Sequence, residues 1–78
     1  MIRREHLRMA RAGLDWTLND LAKVAKVNPN TISRYETGRD IMSETLRKIE
    51  ETLIAAGVRF IDDGDIVGVQ VKKPSATR

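Results

Sequence analysis

Seventy-eight residues and 8.8 kDa are enough for one small domain and not for a second independent core. Charged residues make up 32% of the chain and hydrophobic ones 41%, the balance of a folded globular protein. Lys and Arg outnumber Asp and Glu by 14 to 11, for a net charge of +3. There is no cysteine, which excludes disulfide scaffolds and thiolate metal sites, and the single histidine, His6, excludes a multi-histidine metal centre. No apolar run approaches the ~20 residues of a membrane span, and charges scattered through MIRREHLRMARAG do not suit a signal peptide. The expectation is a cytoplasmic protein with no metal, cofactor, membrane contact or small-molecule substrate.

Helical periodicity runs from residue 2 to 56. Leu7, Ala10 and Leu14 share one face of a first helix, which Asp15 and Trp16 interrupt. Thr17 offers a side-chain oxygen to cap a second helix, with Asp20 three residues on, and Leu18, Leu21, Ala22 and Ala25 face inward to about Lys26. Asn28-Pro29 is a strong start for a third: asparagine caps, and proline fits a first position whose N–H has no partner. That helix spans Pro29 to Glu36 and stops near Gly38, with Ile32 and Tyr35 inside. Ser43 can cap a fourth helix, whose stripe is Leu46, Ile49, Leu53 and Ala56 and which Gly57 ends.

The period then changes to two. Val58 and Phe60, then Val67, Val69 and Val71 beyond the turn Asp62-Asp63-Gly64-Asp65, predict a hairpin of about 58–61 and 66–72. An isolated hairpin is marginal, so it must dock on the helices or pair with another chain. The division expected is a helical domain over 1–57, the hairpin over 58–72 as a packing or dimerisation element, and a flexible tail over 73–78.

Helices Thr17–Lys26 and Pro29–Glu36, joined by a tight turn, have the form of a helix-turn-helix. Ala22 is small where the second of them crosses the first, and Val27 and Ile32 lock the crossing. The outward face carries Asn28, Asn30, Thr31, Ser33 and Arg34, which can donate to and accept from base edges; asparagine suits adenine and arginine suits guanine, each bidentately. Basic residues Arg3, Arg4, Arg8, Lys23, Lys26 and Arg39 are placed to face phosphates, while Asp62, Asp63, Asp65, Glu50 and Glu51 lie elsewhere, so DNA would approach the helix-turn-helix side. Trp16 and Phe60 read as core, and His6 as a surface residue near a fraying start. No acid–base pair with a nucleophile, phosphate loop or ligand set points to an enzyme.

The stretch LRMARAGLDWTLNDLAKVAKVNPNTISRYETGRDIMSETLRKIEETL is similar to the XRE family of repressor- and Cro-type helix-turn-helix proteins, LAKVAKVNPNTISRYETG being its most specific part. The resemblance implies a mainly α fold, a bundle of four or five helices followed here by a short hairpin, with the third helix entering the major groove of double-stranded DNA. It implies base contacts at Asn28, Pro29, Asn30, Ser33 and Arg34. Phosphate contacts would fall at Thr17, Leu18, Thr37, Gly38 and Arg39, and Tyr35 can pack with its ring while its hydroxyl reaches a phosphate. It also implies a buried ion pair between Arg11 and Glu36. Where the family often has glycine in the turn, this chain has Lys26, which must then take a left-handed backbone at ~1 kcal/mol. Leu18, Met42 and Glu44 are further departures from the family pattern.

The function implied is a sequence-specific transcriptional regulator, a repressor working as a homodimer on an inverted repeat, with Val67, Val69 and Val71 joining the subunits. The competing reading is a protein-interaction module on the same scaffold, an antitoxin or antiactivator with a second protein as partner. A controller regulator of a restriction–modification system is a third.

Overall fold

The computed structural model describes residues 2–73, in the order α1 (Arg4–Leu14), α2 (Leu18–Ala25), α3 (Pro29–Glu36), α4 (Ser43–Ala55), β1 (Val58–Asp62) and β2 (Val67–Val71). Most of the tail expected over 73–78 lies outside the described residues. The architecture is a mainly α helix-turn-helix bundle closed by an antiparallel hairpin, whose register pairs Val58 with Val71 and Asp62 with Val67.

The core is the apolar stripe of each helix brought together. Leu7 and Ala10 of α1, Leu21, Ala22 and Ala25 of α2, Ile32 of α3 and Leu46, Ile49 and Leu53 of α4 are buried, joined by Ile2 and Val58. Burying each leucine, isoleucine or valine of this set contributes ~1.5–3 kcal/mol, which is what holds helices too short to persist alone. Trp16, Leu18, Val27, Tyr35 and Phe60 pack around this centre, half-buried.

Local chemistry sets the helix ends. Asp15 closes α1 with φ +58°, and its N–H and that of Trp16 bond back to Ala12 and Arg11. At α2, the Thr17 hydroxyl accepts from the Asp20 N–H at 3.0 Å while Asp20 Oδ2 accepts from the Thr17 N–H at 2.9 Å, a reciprocal box. Lys26 ends α2 with φ +60°, a left-handed backbone at a residue with a Cβ.

The fourth helix begins differently from expectation. Met42, not Ser43, is the capping residue, in extended conformation and without a side-chain cap, and its carbonyl accepts from Leu46 at 3.0 Å. Ser43 is already the first helical residue, so its hydroxyl does not cap.

The hairpin covers the open side of the bundle. β2 lies along α1 and β1 against α4. Val69 and Val71 pack against the helical core, which gives these two a covering role, and Val67 is half-buried beyond them. A Cβ placed on Gly13 of α1 would sit 2.5 Å from Cγ2 of Val71, so the strand approaches the helix where a side chain is missing.

His6 is a clear departure from its surface assignment: it is 1% exposed. Its Nδ1 accepts from the Arg3 N–H at 2.9 Å, so in the neutral ring the proton sits on Nε2, 2.9 Å from the Ile61 carbonyl. Phe60 meets the ring edge to face at 5.4 Å. The imidazole satisfies an orphan N–H at the start of α1 and ties that helix to β1.

Candidate nucleic-acid interface

The structure mounts α3 from three sides. Ile32 is sunk in the core, Glu36 is held by α1, and the N-terminal end is set by Asn28. Asn28 Oδ1 accepts from the Asn30 N–H at 2.8 Å, and Pro29 occupies the first helical position. Its oxygen is thus engaged in capping, and the free part of its amide is the NH₂ group.

The outward edge is polar. Asn28, Pro29, Asn30 and Arg34 are exposed and Thr31 and Ser33 half-buried. Among the described residues, no ion pair or side-chain hydrogen bond engages Arg34, and the side chains of Asn30 and Ser33 are likewise unengaged. A helix edge of this kind presents both donors and acceptors at once, which reading a base edge requires.

The flanks differ residue by residue. At α2, the Thr17 hydroxyl has accepted the Asp20 N–H but keeps its own proton. The N–H groups of Leu18 and Asn19 belong to the first turn, where no intrahelical acceptor exists, and can meet an anion. The Leu18 side chain turns inward to pack on the core. Past α3, the Thr37 hydroxyl donates to the carbonyls of Ser33 and Arg34, each at 3.0 Å. The N–H groups of Thr37, Gly38 and Arg39 bond back to residues 33–35. Those donors close the helix, so among these three the exposed side chain of Arg39 is what remains for a phosphate.

Tyr35 corrects the expectation for its hydroxyl. The ring is half-buried against the core, and the hydroxyl donates to the Ile2 carbonyl at 3.0 Å, so its proton is not free for a phosphate. Tyr35 belongs instead to the support of α3. Arg11 and Glu36 form a two-point ion pair at 2.7 and 2.8 Å, and Arg11 Nη1 also reaches the Trp16 carbonyl at 3.3 Å.

Arg4, read from the sequence as one of the phosphate-facing basic residues, turns instead toward α3. Its Nε donates to the Tyr35 carbonyl at 2.9 Å and its guanidinium lies 5.1 Å from the centre of the Tyr35 ring. The signal was available: Arg4 and Arg11 are seven apart, two helical turns, and so fall on one face of α1. Lys48 of α4 reaches the Lys26 carbonyl at 3.4 Å, beside the turn between α2 and α3. Among the described residues no group of three or more His, Cys, Asp or Glu is placed to hold a metal ion, and no helix is long and apolar enough to cross a membrane.

Comparison with known proteins agrees with this geometry. The helix-turn-helix family profile matches residues 7–54. A protein of Archaeoglobus fulgidus named "Putative HTH-type transcriptional regulatory protein" is 36% identical over 58 residues, covering 74% of this chain. The chain spans 19% of that relative's length. With most of its length matched, including both helices and the turn between them, this chain belongs to the XRE-type helix-turn-helix family.

Proposed function

We propose that the protein is a sequence-specific double-stranded DNA-binding transcriptional regulator whose α3 reads the major groove. The observation that carries this reading is the state of α3: its inner face is fixed by Ile32, Tyr35 and Glu36, while Asn30, Ser33 and Arg34 project without intramolecular partners. Arg34 and Asn30 supply base discrimination, with Ser33, Pro29 and the Asn28 amide beside them. Arg39, the Thr17 hydroxyl and the first N–H groups of α2 meet phosphates. Family membership and the regulator named above support the same reading. It places the protein with the nucleoid in the cytoplasm and asks for no cofactor or catalysis.

The reading includes a homodimer. Two copies of α3 set ~34–36 Å apart would favour an inverted repeat, and occupancy of a promoter gives repression by the simplest route. With Val69 and Val71 turned to the core, Val67, the outer strand edge and the exposed Ile54 and Ile66 are the groups left for a subunit contact. Those two isoleucines equally suit a second protein, the use an antitoxin or antiactivator would make of the same surface.

The test is selection of bound duplexes from a random pool, followed by titration of Arg34→Ala on a selected and a scrambled duplex. Specific binding should weaken by ~1–3 kcal/mol with nonspecific binding nearly unchanged. Parallel losses on both duplexes would remove Arg34 from base readout, and failure to enrich any sequence would remove the proposal.

A further inference from the structure

The basic residues of α1 present themselves at first as a phosphate-facing surface, yet Arg4 is used inward. Three contacts converge on the last turn of α3 from the start of the chain. Arg4 Nε donates to the Tyr35 carbonyl at 2.9 Å, the guanidinium covers the Tyr35 ring at 5.1 Å, and the Tyr35 hydroxyl donates to the Ile2 carbonyl at 3.0 Å. Ile2 is itself buried, 4% exposed, so the carbonyl it offers is anchored. One residue further along α3, Glu36 is gripped by Arg11. Two consecutive residues of α3 are therefore held by two arginines from one face of α1.

We propose that Arg4 is a positioning residue for α3, setting the pose of its outward edge through Tyr35 rather than by touching DNA. The chemistry fits the place. A cation beside the carbonyl end of a helix is favourable, and a guanidinium stacked on a ring while donating in its plane fixes both distance and rotation. Tyr35 sits next to Arg34 in the chain, so a shift of its backbone moves the Arg34 side chain with it. Ile2 and Arg4 precede residue 7, where the match to the family profile begins, so this support is built from residues outside the matched segment. The inference rests on the DNA-reading role for its consequence, and on the free protein for its mechanism.

The experiment has two arms. In the full-length free protein, Arg4→Met should speed amide exchange of Gly38 and Arg39, which bond to Tyr35 and Arg34, about tenfold. The core amides of Leu21 and Leu53 should hold their rates, and Arg4→Lys should recover part of the protection. Uniform acceleration, or none, overturns positioning. On a duplex selected by the wild-type protein, Arg4→Met should lower affinity about tenfold while binding to a scrambled duplex and the salt slope stay as they were. A slope reduced by about one means direct phosphate contact and overturns the proposal. If the wild type enriches no duplex, the DNA reading falls, and the exchange arm still decides whether Arg4 holds α3.

Discussion

Arg11 and Glu36 meet side by side, with Nε 2.8 Å from one carboxylate oxygen and Nη2 2.7 Å from the other. The pair spans α1 and α3 and is shielded: the Glu36 side chain is 7% exposed and that of Arg11 21%. The hydrogen bond to Glu36 is the main reason the Arg11 guanidinium is pushed above its ordinary pKa. Planar, two-point recognition of this sort fixes an orientation as well as a distance.

Removing one partner should therefore cost far more than the pair is worth as a whole, because a shielded charge is left alone. Glu36→Ala is expected to lose ~3 kcal/mol of stability in chemical denaturation. Arg34→Ala, on the same helix but exposed, should stay within ~0.5 kcal/mol of wild type. Equal losses would mean that the pair does not hold α3.

At the turn between α2 and α3, Lys26 carries a left-handed backbone, φ +60°. Glycine has no Cβ to oppose that conformation, and the contact from Lys48 goes to the Lys26 carbonyl, which any residue keeps. Lys26→Gly should raise stability by ~0.5–1 kcal/mol in a urea titration. A loss of stability would show that the Lys26 side chain matters to the fold.

Gly13 sits inside α1, where alanine is ordinarily better by ~1 kcal/mol. Here the added methyl would meet Val71 Cγ2, on a β-branched chain with few rotamers to escape into. Gly13→Ala is expected to destabilise by ~1–2 kcal/mol. Val71→Ala should cost less in that background than in wild type. Simple additivity in the four-member thermal denaturation cycle would contradict the contact.

Acid should open the start of α2. The backbone N–H of Thr17 is the main cause holding the Asp20 carboxyl below its usual 3.8. Its pKa is depressed on folding, so its contribution is complete above the unfolded value and is lost as pH falls through the folded one. An NMR titration should find the Asp20 carboxyl titrating below 3.8, with the Thr17 amide shifting in step. A Thr17 amide that stays still while Asp20 protonates would break the link.

The helices were legible because local signals agreed with one another: Thr17 with Asp20, Asn28 with Pro29, and Gly57 at the end of a regular apolar stripe. The polar edge of α3 was legible for the same reason, since the residues left over from its short inner face are those that project. What escaped depended on tertiary partners. His6 lies at a helix start, where nothing nearby in sequence announces the Ile61 carbonyl as the partner of its ring. Tyr35 could pack and reach outward on pattern alone, and only the return of Ile2 beneath α3 decides where its hydroxyl goes. Ser43 is off the cap by a single residue, a scale finer than that on which local propensity places a helix end.

The contact of Gly13 with Val71 joins the first helix to the last strand. That meeting closes a loop running through nearly all the secondary structure, and its entropy cost is offset only once the helices between are there to pack against. The hairpin is thus expected to arrive late during folding, after the quick local helices have formed, and its departure to be an early event when the molecule comes apart.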